Sequence, residues 1–117
     1  MKIRSDTNHV TKIFHALSHP LRLSICLALR DTPKSVNELC ALLEVKQYMI
    51  SQQLSILREA DIVDHKRQSR QIIYSIASAN IIALIDMAFD EKDKKIGMGL
   101  KGFRWKNNQK KLEIDLN

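Results

Sequence analysis

Apolar residues recur at helical spacing from early in the chain. Val10, Ile13, Phe14 and Leu17 fall at i, i+3, i+4 and i+7. That is one stripe of an amphipathic helix, predicted over about Asp6 to Ser18. Pro20 holds His19 in extended geometry and ends this helix. Pro20 also suits the first turn of a second helix, Leu21 to Leu29. Asp31, Thr32 and Pro33 form a turn cluster. A third helix starts near Ser35, where Ser35 and Glu38 have capping-box spacing. Val36, Leu39 and Leu43 are its apolar stripe. The turn Glu44-Val45-Lys46 leads into a fourth helix, about Gln47 to Ala60. Ile50, Leu54 and Leu57 face the core. Tyr48, Gln52, Ser55 and Glu59 lie opposite, with Gln47 and Ser51 at the edge.

The period then changes to two. Ile62 to Lys66 and Gln71 to Ile76 read as strands, with Ile72, Tyr74 and Ile76 alternating inward. Their connection, Arg67-Gln68-Ser69-Arg70, is polar and basic. A fifth helix runs from Asn80 to about Glu91. Its Ile81, Ile82, Leu84, Ile85, Met87, Ala88 and Phe89 cover more than one stripe, so it needs a second surface to pack against. A partner subunit is the simplest candidate. The expected fold is mainly α with a small β-hairpin, in the order α-α-α-α-β-β-α. That is a winged helix-turn-helix, which places one helix in the major groove of duplex DNA. The outer face of the fourth helix carries medium-length hydrogen-bonding side chains, the kind that read base edges.

The chain of 117 residues fits one domain, expected over 1–91, with a basic tail over 92–117. The tail has eight Lys or Arg residues and weak periodicity, with a short ordered piece expected around Leu100 to Trp105. The net charge of +6 suits a polyanionic partner, and it would also suit a membrane surface. No apolar run approaches the roughly 20 residues needed to span a bilayer. The N-terminal residues lack the apolar core of a signal peptide, so a cytoplasmic protein is expected. Catalysis is not expected. There is no phosphate-cradling Gly loop, nucleophile elbow or HExxH, and Cys26 and Cys40 do not form a CxxC pair.

The run HALSHPLRLSICLAL, then SVNELCALLEV, ISQQLSILREADIV and RQIIYSI, resembles the ArsR/SmtB family of bacterial winged-helix repressors. The resemblance covers about His15 to Ala88. It implies a homodimer formed through the first and last helices, a pseudo-palindromic operator, repression, and release by an inducer. It further implies that Gln47, Tyr48, Ser51, Gln52 and Gln53 occupy the DNA-facing positions of the recognition helix. Gln53 sits at the edge of the core side. His65, Lys66, Arg67, Ser69 and Arg70 make up the wing. Lys46 departs from the family's usual Ser or Thr cap, at a cost of about 1 kcal/mol. It is placed either to meet a backbone phosphate or to stay solvated. Lys101, Arg104 and Lys106 of the tail are further candidates for phosphate contact. The competing reading is a dimeric winged-helix protein that binds another protein. The Gln- and Ser-rich face and the cationic wing argue against it.

The inducer is not legible. The Cys-x-Cys positions of arsenic-sensing members hold Ser35 and Asn37. The last helix has Asp86 and Asp90 without the accompanying histidines of zinc-sensing members. His9, His15, His19 and His65 are scattered, so no metal site is expected, and no cofactor. The SQQL segment resembles the redox-responsive branch, which pairs a cysteine on the second helix with one on the last. Here the last helix has no cysteine. Arg22, Cys26 and Arg30 are spaced by four, which would favour a Cys26 thiolate. Cys26 and Cys40 are therefore the possible redox residues, pairing only if their Cα atoms come within about 7 Å.

Overall fold

A computed structural model of the chain describes residues 2–89, with side chains from Thr7 onward. The expected basic tail 92–117, its segment Leu100 to Trp105, the residues Lys101, Arg104 and Lys106, the end of the fifth helix at Glu91, and Asp90 lie outside the described residues. The elements are α1 (Lys2–Leu17), α2 (Pro20–Asp31), β1 (Lys34–Ser35), α3 (Val36–Leu43), α4 (Gln47–Glu59), β2 (Val63–Gln68), β3 (Gln71–Ile76) and α5 (Ala79–Ala88).

Helix α2 is the centre. Leu21 and every residue from Ser24 to Leu29 are buried. Apolar side chains dominate that run, as expected of a helix covered on nearly all sides. Pro20 occupies its first turn, and Ser24 Oγ donates to the Pro20 carbonyl at 3.0 Å. The N-cap is His19, whose Nδ1 accepts from the Leu21 N–H at 3.2 Å. Helices α1, α3, α4 and α5 and strand β3 all pack on α2. Leu39 and Leu43 of α3 and Ile50, Leu54 and Leu57 of α4 complete the core, with Ile62, Ile81 and Ile85.

Ser35 caps α3 through a complete capping box. The Glu38 N–H donates to Ser35 Oγ at 3.1 Å, and the Ser35 N–H donates to Glu38 Oε1 at 2.9 Å. Ser35 also belongs to a strand that the sequence reading did not include. Lys34 and Ser35 pair antiparallel with Tyr74 and Ile73, so the sheet has three strands in the order β1-β3-β2. Two residues are too few to show a period, so β1 is invisible to pattern reading. The third helix ends at Glu44, a non-glycine residue at φ 56°, which turns the chain into α4.

The hairpin runs from Val63↔Ile76 at its base to Gln68↔Gln71 at its tip, closed by Ser69 and Arg70. Arg67 and Gln68 therefore belong to β2 and not to the connection. Tyr74 and Ile76 pack on the core, but Ile72 is exposed, contrary to the predicted inward alternation. Ile72 lies in the distal half, opposite Arg67, and among the described residues it does not pack on the core as Tyr74 and Ile76 do.

Cys26 is fully buried in α2, and burial pushes its thiol up to about 12 despite Arg22 nearby. The expectation that two arginines favour its thiolate is thereby corrected: the cost of burying the anion outweighs the attraction of Arg22. Cys40 is half-buried, burial also raises its pKa, and both thiols are free. A maleimide at pH 8 is expected to label one thiol per native chain, at Cys40, and the second only in denaturant. Equal native labelling of both, read by intact mass, would contradict this packing.

The His19 pKa is lowered from 6.5, first by burial and then by Arg22. Its cap also needs an unprotonated Nδ1. The unfolded chain thus binds a proton that the folded chain resists, and stability is lost as pH falls below about 6.5. Urea midpoints are expected to decline over pH 7 to 5. The decline should be shallower in His19→Asn, which can still cap.

Candidate nucleic-acid interface

Helix α4 follows α3 after Glu44, Val45 and Lys46, and these two helices pack against each other. Ile50, Leu54 and Leu57 hold α4 to the core along one side. The opposite side is therefore held outward by packing. Gln47, Tyr48, Ser51 and Gln52 are exposed there, Tyr48 by 68%. Gln53 differs. It is half-buried on the flank, and its Oε1 accepts from Arg22 Nη1 at 2.8 Å.

The N-cap of α4 is Lys46, and its side chain caps nothing. Its carbonyl accepts from the N–H groups of Met49 at 3.1 Å and Ile50 at 3.2 Å, which starts the helix. The exposed Lys46 ammonium stands near the helix N-terminus, so side chain and backbone N–H groups offer positive potential at the same end. A phosphate suits that end.

The wing residues His65, Lys66, Arg67, Ser69 and Arg70 are all exposed. Alternation along β2 puts Lys66 on one face of the hairpin and His65 and Arg67 on the other. His65 stacks on its cross-strand partner Tyr74, with ring centroids 5.8 Å apart. Asp64 and Gln68 share the Lys66 face and, with Pro33, Ile73 and Ser75, line a shallow hollow there. The wing thus presents cations on both of its faces.

Sequence reasoning missed Arg22 as part of this region. It was placed beside Cys26 by helical spacing. The guanidinium instead leaves α2, donates through Nε to the Ala16 carbonyl of α1, and reaches Gln53 on α4. A contact across 31 positions has no local signal in the sequence. The other arginine of that spacing, Arg30, pairs with Asp31 at 3.0 Å and with Asp86 on α5. Asp86, which the sequence reading did not expect to bind a metal, is thus engaged by a cation. Among the described residues, no group of three or more His, Cys, Asp or Glu could hold a metal ion.

A second exposed surface is apolar. Val10 and Phe14 of α1 are 45% and 54% exposed, and Met87 of α5 is 87% exposed. Phe14, Leu17, Leu23, Leu84, Ile85, Ala88 and Phe89 line a groove between α1, α2 and α5. It is well separated in chemistry from the polar face of α4. Among the described residues, no helix is long and apolar enough to cross a membrane.

Comparison with known proteins agrees with this geometry. The family model described as a helix-turn-helix domain matches residues 17–66. The biofilm growth-associated repressor of Agrobacterium fabrum is 40% identical over 80 residues, which cover 68% of each chain. The HTH-type transcriptional repressor SmtB of Mycobacterium tuberculosis is 34% identical over 74 residues, covering 63% of this chain and 55% of that one. Among solved structures, the transcriptional repressor BigR from Xylella fastidiosa superposes with a TM-score of 0.64 at 34% identity. That match covers 74% of this chain and 85% of the other. An exposed polar helix, a cationic wing and relatives of this kind lead to one assignment: the chain belongs to the ArsR/SmtB family of winged helix-turn-helix transcriptional repressors.

Proposed function

We propose that this protein is a sequence-specific DNA-binding repressor that acts as a homodimer on a palindromic operator. The observation that carries this reading is the outward polar face of α4 beside a wing with Lys66, Arg67 and Arg70. Two copies of α4, related by the dimer axis, enter successive major grooves about 34–36 Å apart. Gln47, Tyr48, Ser51, Gln52 and Gln53 contact base edges or adjacent phosphates. Lys46, His65, Lys66, Arg67, Ser69 and Arg70 meet the backbone on either side. The cations among them neutralise phosphates and release counterions, so binding weakens steeply with salt.

The dimer forms through α1 and α5. Their apolar residues Val10, Phe14 and Met87 are left exposed among the described residues and need a cover. A second copy of the same surface provides it with two-fold symmetry, and that symmetry matches a palindrome. An inducer then releases the operator by favouring a dimer geometry in which the two recognition helices no longer match the groove spacing.

The test is fluorescence anisotropy of the thiol-reduced protein with DNA upstream of its own gene, against scrambled competitor, over a salt series. A preference of about 10³ or more for its own DNA is expected. In the same assay Gln52→Ala should cost about 1–3 kcal/mol of discrimination at one base position. Arg67→Ala should weaken all sequences alike and reduce the salt slope by about one. Equal, weak binding to both DNAs by the unmutated protein would defeat this reading. A uniform loss in both variants would displace the recognition face from α4.

A further inference from the structure

The guanidinium of Arg22 is half-buried, so its donors need partners. Nε takes the Ala16 carbonyl, at the last turn of α1, and Nη1 takes Gln53 Oε1 at 2.8 Å. A guanidinium has only donors. The atom facing it must therefore be the amide oxygen of Gln53, which fixes the amide's orientation. The Gln53 NH2 group is then directed away from Arg22, and no described residue accepts from it. The cation also polarises the amide and makes that NH2 a stronger donor.

This bears on which base Gln53 can recognise. A free glutamine amide offers one donor and one acceptor and pairs bidentately with adenine N7 and N6 in the major groove. Gln53 has committed one of its amide oxygen's two lone pairs to Arg22 and has that oxygen turned toward the guanidinium, so the NH2 donor is what it presents outward. We propose that Arg22 is a positioning residue for base recognition: it holds the Gln53 oxygen inward and presents the NH2 donor, so that Gln53 selects guanine or thymine and rejects cytosine. Guanine offers O6 and N7 and thymine offers O4, whereas cytosine presents only a donor there. Adenine keeps one bond, to N7, and loses the bidentate advantage. Gln47 and Gln52 are exposed, have no such partner among the described residues, and keep both amide functions. The glutamines of α4 thus divide into two chemical types. The inference rests on α4 reading DNA, as proposed above.

The experiment selects duplexes from a random-sequence pool with the full-length protein. Each base position of the consensus is then varied in competition anisotropy. The position at which Gln53→Ala loses preference is the Gln53 position, and there the unmutated protein should favour guanine or thymine over cytosine about tenfold. Arg22→Met removes the donors at similar length and frees the amide oxygen. Adenine should rise there to match or exceed guanine and thymine, with other positions unchanged. Arg22→Lys keeps a donor against Oε1 and should restore the original order. Gln53→Glu does not disturb α2 and keeps an acceptor for Arg22, but offers no donor to DNA. Its preference should move to cytosine or adenine, whose edges donate.

An equal loss of affinity for every duplex in Arg22→Met, with base order intact, would reduce Arg22 to a structural role and overturn the proposal. It is also overturned if Gln53→Ala alters no position while Gln52→Ala still relaxes its own. In that case the repressor reading survives. If the unmutated protein selects no consensus, the repressor reading itself fails and takes this inference with it.

Discussion

The burial of α2 is the constraint on which the rest depends. The other helices run from 8 to 16 residues, and helices of such length owe their stability to packing more than to propensity. α2 gives them a common surface: α1, α3, α4, α5 and β3 all rest on it. Its sequence from Ser24 to Leu29 contains no charged residue, and each of these side chains is inside. The direction in which α4 faces outward is therefore a consequence of how Ile50, Leu54 and Leu57 seat against this core. A charge introduced within that stretch of α2 would be left without a partner in a dry interior.

Polar ties extend the same logic to the ends of α2. Arg22 near its start reaches the α1 carbonyl of Ala16 and the amide of Gln53 on α4. Arg30 near its end reaches Asp86 on α5 and Asp31 beside it. Both arginines flank the buried stretch and extend out of it, and so they connect the surfaces that the core keeps apart. The Arg30–Asp86 pair is partly exposed and contributes modestly to stability. Its more specific effect is to fix how α5 lies against α2. The Arg22 contacts fix a side chain on α4.

Much of this was legible in the sequence because it rests on short-range rules. Ser35 and Glu38 announced the start of α3 and make both bonds of the capping box. Pro20 marked the break between α1 and α2, and the apolar triplet of α4 marked its buried side. What was not legible depends on depth or on distant partners. Spacing put Arg22, Cys26 and Arg30 on one line but could not reveal that Cys26 sits fully inside, where desolvation outweighs the nearby charge. Alternation put Ile72 on the inner face of β3 but could not show that, among the described residues, it does not pack on the core as Tyr74 and Ile76 do. Strand β1 became a strand only because β3 lies beside it. At the candidate interface, the residue types of α4 and the wing were readable. The partner of Gln53 was not, because Arg22 lies far from it along the chain.

The same separation of near and far bears on how the proposed release from DNA would work. α5 packs on α2 and β3, and α4 packs on α1, α2, α3 and β2. A ligand at the apolar groove of α1, α2 and α5 does not need to touch α4 to influence it. Any change in how α1 or α5 lies on α2 is felt by side chains that α4 also uses. Because cores are close-packed, such changes favour rearrangement between discrete packings over continuous bending. A thiol switch at Cys26 is poorly suited to this role, since its sulfur is buried and its thiolate strongly disfavoured. A ligand that alters the proposed α1–α5 dimer surface would be better matched to the geometry, because both of these helices and α4 pack on α2.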